Sequence, residues 1–89
     1  MTKFETRGNE IRDLCKTLVL EFMQATKECQ PGKTGMKQSQ IFKNCGFDWG
    51  NYPLITASQQ QYWIVAILSQ LKKEGKVERI SKSGPWRLL

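Results

Sequence analysis

Eighty-nine residues suffice for one domain with a modest core and are too few for two. One residue in four is charged and 39% are apolar, which excludes both a chain disordered by composition and a membrane-embedded one. The net charge is +6, and a basic excess attracts polyanions through long-range steering and counterion release.

The excess is not spread evenly. Residues 1–30 carry five basic and five acidic side chains, residues 31–58 sum to +2, and residues 59–89 sum to +4. The polyanion-facing half is therefore expected at the C-terminal end. Apolar runs such as Leu18–Val19–Leu20 are far too short to span a bilayer, so no membrane partner is expected. MTKFETRGNE lacks the apolar stretch of a signal peptide, which makes the cytoplasm the default location. Three cysteines, Cys15, Cys29 and Cys45, stand at wide spacings with no CxxC and no histidine. A structural zinc site needs four Cys/His ligands in close pairs, so no metal is expected and the thiols read as reduced, small apolar residues.

In chain order, residues 1–8 read as a flexible lead-in ending at Gly8, with Asn9 as N-cap of a first helix and Glu10 and Asp13 in its first turn, where the dipole favours acids. Ile11, Leu14, Cys15, Leu18, Phe22, Ala25 and Cys29 fall at helical spacing and form its expected core stripe. Val19 and Met23 extend that stripe sideways and make this helix the candidate surface of a possible homodimer. Pro31–Gly32 is expected to stop it near Glu28.

Met36 to Asn44 predicts a short second helix with Ile41 and Phe42 inward and Gly46 as its stop. FDWGNYPLITA then intervenes, an insertion over 47–57 that is long for a connection between two helices. Ser58 N-caps a long third helix to Glu74, and Gln61 completes a capping box. Ile64, Ile67, Leu68 and Leu71 form its inward stripe. The outer face carries Gln59, Tyr62, Ala66, Ser69, Gln70 and Lys73, with Gln61, Trp63 and Val65 on the flanks.

After Gly75, KVERI and PWRLL flank SKSG and predict a β-hairpin whose turn uses Gly84 and Pro85. Val77 and Ile80 are the expected inward residues of its first strand, and Trp86 and Leu88 of its second. Lys82 sits at the tip, with Arg79 and Arg87 on the strands. The class is α+β: one domain over 9–89, three helices followed by a C-terminal hairpin.

Two catalytic readings fail. QPGKTG lacks the preceding strand of a phosphate loop, and Lys27 stands where that motif needs its first glycine. With no histidine, a Ser or Cys nucleophile lacks its commonest base, and the acids form no convergent cluster. No catalytic residue, cofactor or small-molecule substrate is expected.

With these elements in order, the chain resembles the winged helix-turn-helix DNA-binding superfamily, most sharply over ILSQLKKEGKVERISKSGPWRL. Pro85–Trp86 is similar to the wing of Z-form nucleic-acid-binding domains. The Lys, Asn and Tyr those domains require fall on Gln61, Val65 and Ser69, so left-handed DNA is not the expected ligand. Leu71–Lys72–Lys73–Glu74–Gly75 and Trp86–Arg87–Leu88 are similar to the N-terminal winged helix of Mrr-like restriction proteins.

The resemblance implies a non-enzymatic, prokaryotic domain that binds double-stranded DNA, in transcription regulation, restriction or defence, whether as a whole protein or as one domain of a longer enzyme. The third helix would enter the major groove and the wing would hold phosphates. The candidate nucleic-acid-binding residues are Gln59, Gln61, Tyr62, Ser69, Lys72 and Lys73 on the helix, and Arg79, Lys82 and Arg87 on the hairpin. Glutamine can read an adenine edge and serine either base class. The alternative is a protein-interaction module that presents Trp49, Tyr52, Tyr62 and Trp63 as exposed aromatic anchors.

Overall fold

The computed structural model describes residues 2–47 and 58–89, with the side chains of the third helix described from Trp63 onward. Their elements run α1 (Lys3–Gln24), a 3₁₀ turn (Lys27–Cys29), α2 (Gln38–Asn44), α3 (Ser58–Lys73), β1 (Val77–Arg79) and β2 (Trp86–Leu88). The class is α+β, three helices with a two-stranded antiparallel hairpin at the C-terminal end. Most of the 47–57 insertion lies outside the described residues, as does the side chain of Gln61 in the expected capping box.

α1 starts at Lys3 rather than after Asn9. The Thr2 hydroxyl accepts from the Glu5 amide at 3.1 Å, and the Glu5 carboxylate accepts from the Thr2 amide at 3.2 Å. This reciprocal box satisfies two of the orphan donors of the first turn. Gly8 is carried in the helix interior at a penalty of about 1 kcal/mol relative to alanine. The other end also differs, because α1 stops at Gln24. There the Gln30 amide lies 2.9 Å from the carbonyls of Gln24 and Thr26 and 3.1 Å from that of Met23. One side chain thus occupies the carbonyls that a longer helix would have used itself.

The core joins Val19 and Met23 of α1, Cys29, Ile41 and Phe42 of α2, Ile64, Ile67, Leu68 and Leu71 of α3, and Val77 and Trp86 of the hairpin. The inward stripe of α3 is the expected one. That of α1 is only partly so: Cys15 and Phe22 pack against the core and Cys29 is buried, but Ile11, Leu14 and Leu18 are exposed, whereas Val19 and Met23 are fully buried. The buried face is turned by one residue, roughly 100°, from the expected stripe. The C-terminal half of α1 is apolar on several sides, so spacing alone leaves its rotation open. α3 sets it, with Lys16 of α1 paired to Glu74 just beyond the end of α3.

Both later helices end in the same way. Phe47 N–H donates to Phe42 O and Gly46 N–H to Lys43 O, each at 3.0 Å, and Lys76 and Gly75 repeat the pattern onto Leu71 and Lys72 at 3.0 Å. These paired bonds are the Schellman arrangement, which requires a left-handed residue after the helix. Gly75, at φ 76°, supplies it and turns the chain straight from α3 into β1.

The hairpin pairs Val77 with Leu88, Glu78 with Arg87 and Arg79 with Trp86. Met36 adds one further rung, exchanging both backbone bonds with Trp86 at 2.8 Å. Val77, Arg79, Trp86 and Leu88 share one face of the hairpin, and Glu78, Ile80 and Arg87 the other. Ile80 is accordingly 40% exposed rather than inward as expected, because residues three apart cannot share a strand face.

Candidate nucleic-acid interface

α3 and the hairpin leave a cleft of 470 Å³ between them, lined by Val65, Ser69 and Lys72 from the helix and by Arg79, Ser81, Lys82 and Trp86 from the hairpin. The helical residues stand at i, i+4 and i+7, one row along α3. Gly75 fixes where the hairpin leaves α3. Burial of Val77 and Trp86 then holds the inner strand face against the helix.

Three cations and no carboxylate among the described residues line the cleft. Among the described residues, Lys72 and Lys82 form no ion pair. Arg79 is positioned more tightly. Its Nε donates to the Gly84 carbonyl at 2.9 Å, and its guanidinium lies 5.2 Å from the centre of the Trp86 ring. Stacking and one bond fix the fork at the hairpin turn while leaving the terminal amino groups for an external acceptor.

Of the nine residues expected to contact nucleic acid, the cleft gathers Ser69, Lys72, Arg79 and Lys82. Lys73 is exposed on α3 but does not line the cleft. Arg87 lies on the opposite hairpin face, where its Nε donates to Glu78 at 2.7 Å and its Nη1 to the Lys33 carbonyl at 2.8 Å. It lines a second, separate depression with Lys27, Glu28 and Lys33. Its guanidinium ties the loop after α1 to the hairpin. The side chains of Gln59, Gln61 and Tyr62 lie outside the described residues. Sequence reasoning missed Ser81, which the hairpin turn brings to the cleft wall. Its position between two strands was the available signal.

Of the aromatics weighed as protein anchors, Trp63 is half-buried and packs on Phe47 at 4.3 Å and, edge-on, on Phe42 at 5.4 Å. Trp49 and Tyr52 lie outside the described residues. No helix among the described residues is long and apolar enough to cross a membrane. Among the same residues, no group of three His, Cys, Asp or Glu is placed to hold a metal ion. No family model, curated protein or solved structure matches this chain.

Proposed function

We propose that this chain is a winged-helix domain that binds double-stranded DNA and performs no chemistry on it. The observation that carries this reading is the convergence of Lys72, Arg79 and Lys82 on one cleft, with no acid among the described residues that line it, between a 16-residue helix and a hairpin turn. A cleft of that composition suits a phosphate run. Lysines act as point charges and the stacked arginine as an oriented fork.

With phosphates held there, the N-terminal half of α3 lies along the adjoining major groove, which is wide enough to admit a helix. Gln59, Gln61 and Tyr62 fall on that half by register, so sequence preference is assigned to them and sequence-independent affinity to the three cations. The packing of Trp63 against Phe42 and Phe47 removes one aromatic from the competing protein-anchor reading.

Amide chemical shifts followed during titration with a short duplex test the proposal. The largest changes are expected at Ser69, Lys72 and Arg79–Lys82, with the exposed face of α1 unchanged. Changes confined to α1, or none at low salt, would overturn it.

A further inference from the structure

We propose that the exposed face of α1 joins two copies of this chain, packed helix against helix and antiparallel about a two-fold axis. Every residue from Thr2 to Leu14 is exposed, so the first three turns of α1 bury no side chain in the core, although Gly8, Ile11 and Arg12 border a depression shared with Trp63, Ala66, Ile67 and Gln70 of α3. A helical segment of that length is marginal in water by itself.

Its outer face is nevertheless apolar. Phe4 is 77% exposed, Ile11 60%, Leu14 69% and Leu18 41%. Phe4, Ile11 and Leu18 repeat at intervals of seven, and Arg7, Leu14 and Glu21 form the interleaved set, also at intervals of seven. Together they make one seam of alternating three- and four-residue steps, which is the spacing of a two-helix packing seam. Val19 and Met23, which sequence alone suggested for such a contact, belong instead to the core.

The charges within the seam choose the occupant and its direction. Arg7 lies at one end and Glu21 at the other, and among the described residues neither forms an ion pair. Glu21 in the last turn opposes the helix's own macrodipole, which favours cations there, so its placement does not serve the isolated helix. A parallel partner would set Arg7 against Arg7 and Glu21 against Glu21. An antiparallel copy with the two-fold axis at Leu14 brings each Arg7 level with the other's Glu21, with Leu14 against Leu14 at the centre and each Ile11 beside the other's Leu18. Like-charge contacts reject the parallel arrangement as the opposite-charge contacts favour the antiparallel one. None of these six residues lines the α3–hairpin cleft, so pairing and duplex binding are separable.

Sedimentation equilibrium on the full chain tests this, with circular dichroism confirming that each variant stays helical. The wild type is expected to dimerise reversibly and Leu14→Glu to be monomeric. Arg7→Glu and Glu21→Lys should each weaken association by about tenfold or more, as misplaced interfacial charges do, and the combined Arg7→Glu/Glu21→Lys chain should regain most of it. Only an antiparallel pairing predicts that rescue. A wild type that stays monomeric at its highest soluble concentration overturns the proposal. So does a dimer indifferent to Leu14→Glu, or a double reversal no better than either single one.

Discussion

Arg79 and Trp86 are direct cross-strand partners, and the arginine's guanidinium sits 5.2 Å from the centre of the indole ring. The pair links stability to the candidate interface. Trp86 is 3% exposed and closes the core, while Arg79 stands on it and holds the hairpin turn through the Gly84 carbonyl. Replacing Arg79 with alanine should remove one cation–π contact and one charge-assisted bond, about 1–2 kcal/mol together. Arg79→Lys should recover part of the charge but not the fork. Urea denaturation of the two variants checks this, and equal midpoints for wild type and Arg79→Ala would show that the stacking contributes nothing.

Gly35 is held where no side chain fits. Its φ is +78°, and a Cβ there would meet Ile80 Cδ1 at 2.8 Å and the Trp86 carbonyl oxygen at 2.9 Å. The loop runs this close to the hairpin because Met36 pairs with Trp86 on the next rung. Gly35→Ala should therefore destabilise the chain by about 2 kcal/mol or more, from backbone strain plus displacement of the hairpin. Gly32→Ala shares the positive φ but meets no atom within 4 Å, and should lose clearly less. Comparing the two melting temperatures isolates the steric part.

Cys45 gives a pH signature. Burial, followed by the neighbouring Cys29, pushes its thiol up to about 11 from an ordinary 9.0. Cys29 is raised as well, by burial and then by Glu28. Below pH 9 folded and unfolded chains both keep the proton, and this contribution to stability is fully present. Between pH 9 and 11 the unfolded chain releases a proton that the folded chain retains, so stability falls; above about 11 both have released it and the fall levels off. Wild type should thus lose stability faster than Cys45→Ala across that window. Parallel curves from pH-dependent urea titrations would contradict the assignment. Alkylation of Cys45 at pH 8 should likewise be slow.

How far the sequence revealed the fold differs from one end to the other. α3 was legible because Ser69, Gln70, Lys72 and Lys73 leave only Leu71 to continue its Ile64–Ile67–Leu68 stripe and Gly75 marks the turn; the hairpin was legible apart from Ile80, which strand alternation turns outward. α1 was only half legible. Thr2 and Glu5 carry the spacing of a capping box, yet Gly8 suggested a break, and helical cooperativity carried the backbone through it. Its rotation follows from the packing of Val19 and Met23 against core residues distant in the chain, from Ile41 to Trp86, which no local period encodes. Of the nine candidate site residues, four line one cleft, and the sequence did not say which face each would take. Arg79 and Arg87 lie close along the chain, and only the strand register, set by the turn, sends them to opposite faces.

Removing cations from the cleft should separate affinity from preference. Lys72→Ala and Lys82→Ala are each expected to weaken binding to all duplexes alike, whereas Gln59→Ala should alter preference at one base-pair position. Arg87→Ala should affect stability more than binding, because its partners are Glu78 and the Lys33 carbonyl. Competition among duplexes of different sequence distinguishes these outcomes.

The most direct test is the salt dependence of duplex affinity, measured by fluorescence anisotropy for the wild type and for a Lys72→Ala/Lys82→Ala chain. Each phosphate contact contributes a slope of roughly −0.9 in log K against log salt. The wild type should bind at low salt with a steep negative slope, and the double variant should bind more weakly with a slope shallower by about two such units. A wild type that fails to bind duplex at low salt, or a double variant with an unchanged slope, would contradict the assignment of the α3–hairpin cleft to the phosphate backbone.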